Sequence, residues 1–557
     1  MHQKERKNKR KMLKFHSQSI NLQILAGALF LSTFLLFGGY YEFVSAILAV
    51  AAVIISLFCN GRGESKRKVD NYFLFAFLLA FFYVVSSFYA IDRGMAWTGV
   101  AKKCYPFLFA VLIFKMGIEQ RKRLLKKLPQ FACTLTVLSG LAICIPEFRS
   151  HIWMAGRFAG TFQNANAYAL FLLLAILIKI ERWEKTIIVL NIVELAILLF
   201  ALYLTGSRFT WIMAITVCII VVLRYGKQRK WYIVLLGVLL FVTVGAATFF
   251  QNTEAIGRLF TTNRSTLYGR ILYWKDAVQL IPKHPFGMGY LGYYYAQTQI
   301  QTGAYTVRYV HNDWLQWVLD VGCIPALILL LCILYALADK KRCFLEKMLL
   351  LVILVHGCME YDLEYNAITI LIILILSCEE EVVGNGKSWG INLMTEKTIL
   401  VIIGIICLYF SVPLTLYASG NTKTAVLWYP VYTDAQIANL SLEEKPQKAD
   451  MLADQIIKQN KTVALAYDAK AIVAYLNSDW NKMFYYKKEA IKKNKFDVSE
   501  YTQAIELLNA MEKDTGESEI VQMRINEVKS MAQKNEASVS ALGKMIDDQV
   551  ELDLDEN

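Results

Sequence analysis

Eight side chains set beside apolar runs could do chemistry together. They are Arg157, Arg208, Arg270, His311, Asn164, Asn166, Asn312 and Trp274. Arg157, Asn164 and Asn166 lie within Gly156-Arg157-Phe158-Ala159-Gly160-Thr161-Phe162-Gln163-Asn164-Ala165-Asn166. Arg208 ends Thr205-Gly206-Ser207-Arg208, a very short turn between two apolar runs. Arg270 begins a helix-periodic segment, and His311-Asn312-Asp313 stands just before another apolar run. An arginine at a membrane boundary is unfavourable unless it is paired or faces water. Three of them brought together repel one another unless an anion joins them, and the planar guanidinium fork suits the oxygens of a diphosphate. Taken singly, each residue has a plainer reading. Arg208 can snorkel, Arg270 can bind a lipid headgroup, and His311 can be a hydrogen-bonded structural residue. Glu360 and Asp362, in a tight turn, read as structural partners for the cations. Arg258, Arg264 and Arg308 read as loop charges. Residue chemistry alone leads to an anion site at one face of a membrane protein.

The elements that must position these groups are helices crossing a bilayer. Of 557 residues, 56% are apolar and 19% charged, with mean hydropathy +0.39. That composition excludes a disordered chain and argues against one soluble domain. The expected fold is all-α: a polytopic helical bundle of about thirteen spans. The spans are expected near 20–38, 41–59, 71–90, 98–116, 129–146, 165–181, 186–205, 209–224, 231–250, 313–337, 345–358, 363–378 and 397–418. With the N-terminus inside, the inner segments carry 30 Lys and Arg and the outer ones 12. This asymmetry places the N-terminus inside and, after thirteen crossings, the C-terminus outside. The net charge of +13 is then a topology signal rather than a nucleic-acid footprint. No A-x-A-like cleavage site follows the first apolar run, so a retained first span is expected.

The expected domains are a basic cytoplasmic N-terminus (1–19), a membrane domain (20–418) with a long outer loop (251–312), an outer helical domain (419–545) and an acidic disordered tail (546–557). In the loop, Arg270, Trp274, Ala277, Val278 and Ile281 recur at helical spacing, predicting an amphipathic surface helix before Pro282. Residues 464–494 read as a helix pair turning at Asn477-Ser478-Asp479. The pair is similar to a tetratricopeptide unit without its closing proline, or is part of a generic helical bundle. The eleven cysteines form no C-x-x-C pair, so neither a disulfide framework nor a metal cluster is expected.

An ordered set of motifs carries a resemblance. It runs Arg157-x-x-Gly160-Thr161-Phe162-x-Asn164-x-Asn166, Ser207-Arg208, Gly269-Arg270-x-x-x-Trp274, Pro285-x-Gly287-x-Gly289, His311-Asn312-x-x-Leu315-Gln316 and Gly322. This resembles the O-antigen ligase and polymerase superfamily of bacterial membrane glycosyltransferases, departing at Ala165, where the family often has proline. The resemblance implies a donor glycan on undecaprenyl pyrophosphate, a sugar hydroxyl as acceptor, and the cytoplasmic membrane as location. It implies that Arg208 and Arg270 contact the pyrophosphate and that His311 acts on the acceptor. The chemistry agrees. The leaving group needs only charge stabilisation as its C–O bond breaks, and an imidazole titrating near neutrality can take the hydroxyl proton. A metal-independent, inverting displacement without cofactor is expected. Arg157, Asn164, Asn166, Asn312 and Trp274 would bind substrate or orient its loops. Trp274, Tyr290, Tyr293 and Tyr294 are either sugar platforms or aromatic membrane anchors.

Polymerisation of surface polysaccharide repeat units is the expected outcome, with ligation to a lipid, protein or cell-wall acceptor as the alternative. A lipid-linked oligosaccharide transporter would need polar residues along its spans, where Glu194 is the main isolated charge. A non-enzymatic scaffold would use the outer helical domain to recruit a protein partner. The lipid-linked glycosyltransferase class that uses acidic residues in its first outer loop fits poorly, because Gly38-Gly39-Tyr40-Tyr41 is followed by Glu42 alone.

Overall fold

A computed structural model describes residues 22–58, 71–181, 188–225, 264–379, 393–440 and 446–546. The expected span 231–250, the basic N-terminus, Arg258 and the acidic tail from 547 lie outside the described residues. Helices dominate, as the sequence predicts. The one ladder among the described residues pairs Trp153–Met154 antiparallel with Arg157–Phe158. Two described helices, Arg93–Phe114 and Met394–Ala418, are long and apolar enough to cross a membrane. Shorter apolar helices include Leu22–Leu35, Glu42–Phe58, Asn71–Ser87 and Ile188–Leu204. Several carry large apolar side chains outward, among them Ile402, Ile405, Val189 and Phe200. Such outward apolar faces are costly in water and ordinary in lipid.

The chain divides into two compact units. The first comprises Met1–Phe81, Ala101–Thr262 and Ile328–Ser411. Its centre is the helix Asn366–Leu376, in which every residue is buried. Its 11 residues rise about 16 Å, and it is enclosed along its whole length. Phe344–His356 packs against it, and Ala165–Glu181, buried from Ala167 to Ile180, packs on Phe344–His356 in turn. The mid-span charge of Glu194 is answered by Lys179, with both side chains nearly inaccessible.

The second unit comprises Phe82–Val100, Asn263–Leu327 and Val412–Asn557. The loop helix expected before Pro282 is present as Arg264–Val278. Its buried side, with Ala277, packs in a cluster with Met288, Tyr293, Ala296 and Val310. The expected single span 313–337 is instead two helices, Asp313–Val321 and Cys323–Ala338. The break is at Gly322, whose φ is +96°. A Cβ there would lie 2.5 Å from the Phe286 carbonyl carbon, so only glycine lets the two backbones pass. The tail continues as helices Pro446–Gln459, Ala464–Leu476, Trp480–Lys493, Val498–Thr515 and Ser518–Ala537. Met483, Tyr501, Leu508 and Val528 share its core. The expected turn between 476 and 480 is there, with Asp479 capping the next helix through Lys482 N. This tail and the outer loop belong to the same unit. Tyr295 donates to Asp434 at 2.7 Å, and buried Asp92 accepts from Asn460 at 2.9 Å.

Candidate functional site

The sequence-predicted residues fall into two groups, one in each unit. In the first unit, Arg157 is presented by the two-stranded hairpin. Ala155 and Gly156 form its turn with φ of +49° and +73°, the left-handed pair that a two-residue hairpin turn needs. Arg157 Nε donates to the Thr205 carbonyl at 2.6 Å and Nη2 to Asn166 Oδ1 at 2.5 Å. Asn166 then donates to Glu360 Oε1 at 2.6 Å. Glu360 therefore serves Arg157 through an amide bridge. Asn164 caps the helix Ala165–Glu181, its Oδ1 accepting from Asn166 N and Ala167 N at 2.9 and 3.0 Å. Its amide donates to Tyr361 Oη at 2.9 Å.

By binding Thr205, Arg157 also fixes the turn that carries Arg208. Arg208 is half-buried and is the first residue of the 18-residue helix Arg208–Tyr225. The orphan N–H groups and positive dipole end of such a helix add to the guanidinium charge. A second tether is a buried chain of hydrogen bonds. Ser207 Oγ lies 2.8 Å from Thr210 Oγ1, Thr210 Oγ1 lies 3.0 Å from His356 Nε2, and His356 Nδ1 lies 2.5 Å from Asp362 Oδ2. Asp362 is thus the partner of a histidine. Next to it, Glu364 receives Lys102 and Lys103, each at 2.9 Å, with all three side chains buried. Sequence reasoning missed His356, Glu364 and this use of the lysine pair. The only signal was two lysines inside an apolar run and acids in a tight turn.

In the second unit, Arg270, Tyr273 and Trp274 share one helix, and Tyr273 and Trp274 face the 301–312 loop. Trp274 Nε1 donates to the carbonyls of Val310 and His311 at 3.0 and 3.2 Å. His311 itself has φ of +53°, a left-handed conformation uncommon for a side-chain-bearing residue and often found at functional positions. Its ring centroid lies 6.1 Å from that of Tyr273. Asn312 caps Asp313–Val321, its side chain accepting from Trp314 N and Leu315 N. Buried Gln316 accepts from Val310 N at 2.9 Å and donates to Asp320 at 2.8 Å, and Asp320 also receives Tyr83 Oη at 2.8 Å. Tyr290 and Tyr293 are fully buried, so these two are core side chains and offer no ring face to a sugar. Among the described residues, no group of three His, Cys, Asp or Glu side chains is placed to hold a metal ion.

Residues 194–355 match the family described as O-antigen ligase. This segment resembles an O-antigen ligase domain. The matched stretch contains Arg208, Arg270, Trp274, His311 and Asn312, and it ends one residue before His356. No curated protein and no solved structure matches the chain. The O-antigen ligase family consists of integral membrane enzymes of ligase or polymerase type, which use lipid-linked glycan and acceptor substrates. For this chain the match supports a place in the membrane and an activity in glycosyl transfer.

Proposed function

We propose that the protein transfers a glycan from undecaprenyl pyrophosphate to a sugar hydroxyl at the outer face of the bacterial cytoplasmic membrane, polymerising surface polysaccharide repeat units. Arg208 and Arg270 bind the diphosphate. His311 removes the acceptor proton as the hydroxyl oxygen attacks the anomeric carbon. The C–O bond to the diphosphate breaks with its electron pair, and the guanidinium charges stabilise the departing undecaprenyl pyrophosphate. The anomeric centre inverts, and no metal takes part. Arg157 and Asn166 fix the Arg208 turn, while Asn164, Asn312 and Trp274 shape the loops that bind substrate. The observation that carries this reading is His311, held in a left-handed backbone conformation by Trp274 and the Asn312 cap inside the matched segment.

Thirteen crossings with the N-terminus inside and a tetratricopeptide-like tail outside, open to a protein partner, complete the proposal. The charge asymmetry of the loops and the packed helix pairs after 446 support it. The test incubates purified protein with lipid-linked repeat units. A ladder of products is expected. Reaction only after another acceptor is added would make the protein a ligase. Arg208→Ala and His311→Ala should each abolish turnover, and full activity in both would refute the mechanism.

A further inference from the structure

The C-terminal end of the described chain is tied to the loop that carries His311. After the helix Ser518–Ala537, the chain turns and forms the short helix Ala541–Lys544, capped by Ser540. Ser540 N donates to the Thr302 carbonyl at 2.8 Å, and Ser540 Oγ reaches the same oxygen at 3.1 Å. The two backbones touch. A Cβ on Gly543 would lie 2.4 Å from Thr302 O, and one on Gly303 would lie 2.9 Å from Gly543 Cα. Segments near a terminus fray unless something holds them, and residues 540–543 are held by Thr302 and Gly303.

From Thr302 the contacts run inward. Its N–H and Oγ1 donate to the two carboxylate oxygens of Asp276 at 2.8 and 2.9 Å. Tyr305 Oη donates to the same carboxylate at 3.0 Å. Asp276 has no exposed surface. Burial, reinforced by nearby Tyr293 and Asp276, pushes the Tyr305 hydroxyl far above its ordinary range, so it remains a donor. The Tyr305 ring packs on Tyr273 at 4.6 Å between centroids, and Tyr273 in turn faces His311. Asp276 lies two residues beyond Trp274, which holds the His311 carbonyl.

We propose that residues 538–546 are a C-terminal clasp that sets His311 in register for turnover, acting through Thr302 and the positioning residue Asp276. This rests on the reading of His311 as the group that activates the acceptor. A misplacement of about 1 Å can cost about a hundredfold in rate, so a clasp that leaves binding intact still governs kcat.

The test uses the full-length protein in lipid nanodiscs, with three variants. Gly543→Ala drives a methyl group into Thr302 O, Asp276→Asn weakens the three-donor carboxylate, and a truncation ends the chain after Ala537. Each is expected to lower kcat about tenfold or more, to leave KM for the lipid-linked repeat unit within about twofold, and to speed amide exchange across 301–312. A peptide of residues 536–546 added to the truncated protein should restore turnover. Wild-type kcat in Gly543→Ala and the truncation, or a truncated protein that the peptide does not rescue, overturns the proposal. The exchange measurement does not depend on His311. Faster exchange at 301–312 together with full turnover in His311→Ala would refute the role of His311 and leave the tie itself standing. Unchanged exchange would refute the clasp.

Discussion

At the residue scale, the candidate site is built from side chains that fix backbone as much as from side chains that face substrate. Arg157, Asn164, Asn312 and Trp274 each bind a carbonyl or a helix N-terminus. Their residue types announced polar chemistry, and their partners are main-chain groups: the Thr205 carbonyl before Arg208, the carbonyls at 310–311, and the first amides of two helices. This gives a sharp expectation for Trp274. Trp274→Phe keeps a ring but removes the N–H that holds the Val310 and His311 carbonyls. A neutral hydrogen bond contributes about 0.5–1.5 kcal/mol, so turnover should fall several-fold while donor KM stays constant. Steady-state transfer assays on both proteins check this, and an equal rise in KM would place Trp274 against substrate instead.

At the element scale, one short piece of chain does most of the positioning in the first unit. The turn around residues 357–365 receives Asn164 on Tyr361, Asn166 on Glu360, His356 on Asp362 and the two lysines on Glu364. A carboxylate buried between two ammonium groups makes the helix Arg93–Phe114 compatible with an apolar setting. Removing one member of a buried ion cluster leaves uncompensated charge and costs about 3–5 kcal/mol. Glu364→Gln should therefore lower the thermal midpoint sharply. Replacing Lys102 and Lys103 by Met and Glu364 by Leu together should recover most of that loss, because no charge is left buried. Thermal unfolding of the purified variants decides it, and equal destabilisation in the single and triple variants would refute the account.

On the scale of the whole molecule, the helical tail brings its own pH dependence. Lys487 bridges Asp468 and Glu500 at 2.6 and 2.7 Å with all three nearly inaccessible. Burial, with Glu500 competing for the same ammonium, outweighs Lys487 and pushes the Asp468 carboxyl up to about 7. The folded tail thus holds a proton that the unfolded chain releases near its ordinary value of about 3.9. Stability from this group is fully present below that value and is lost as pH rises through about 7. Protection of the 464–493 amides, corrected for intrinsic exchange, should fall from pH 5 to pH 8. The slope should be at most about 1.4 kcal/mol per pH unit, and Asp468→Asn should flatten it. A slope unchanged in that variant would refute the assignment.

The sequence by itself determined the helical class, the places of the apolar helices from 22 to 225 and from 344 to 418, and the helix pair after residue 464. Each of these follows from local periodicity, which a single segment carries within itself. It also marked Arg157, Arg208, Arg270 and His311, because charged groups beside apolar runs are conspicuous in any context. Tertiary structure decided what those groups touch: the amide bridge from Arg157 to Glu360, the pairing of His356 with Asp362, the burial of Tyr290 and Tyr293, and the tie from Ser540 to Thr302. Such contacts join residues as much as 368 positions apart, as Asp92 and Asn460 are. Neither spacing nor composition encodes them, because the energy of a buried polar group depends on the partner that folding delivers to it.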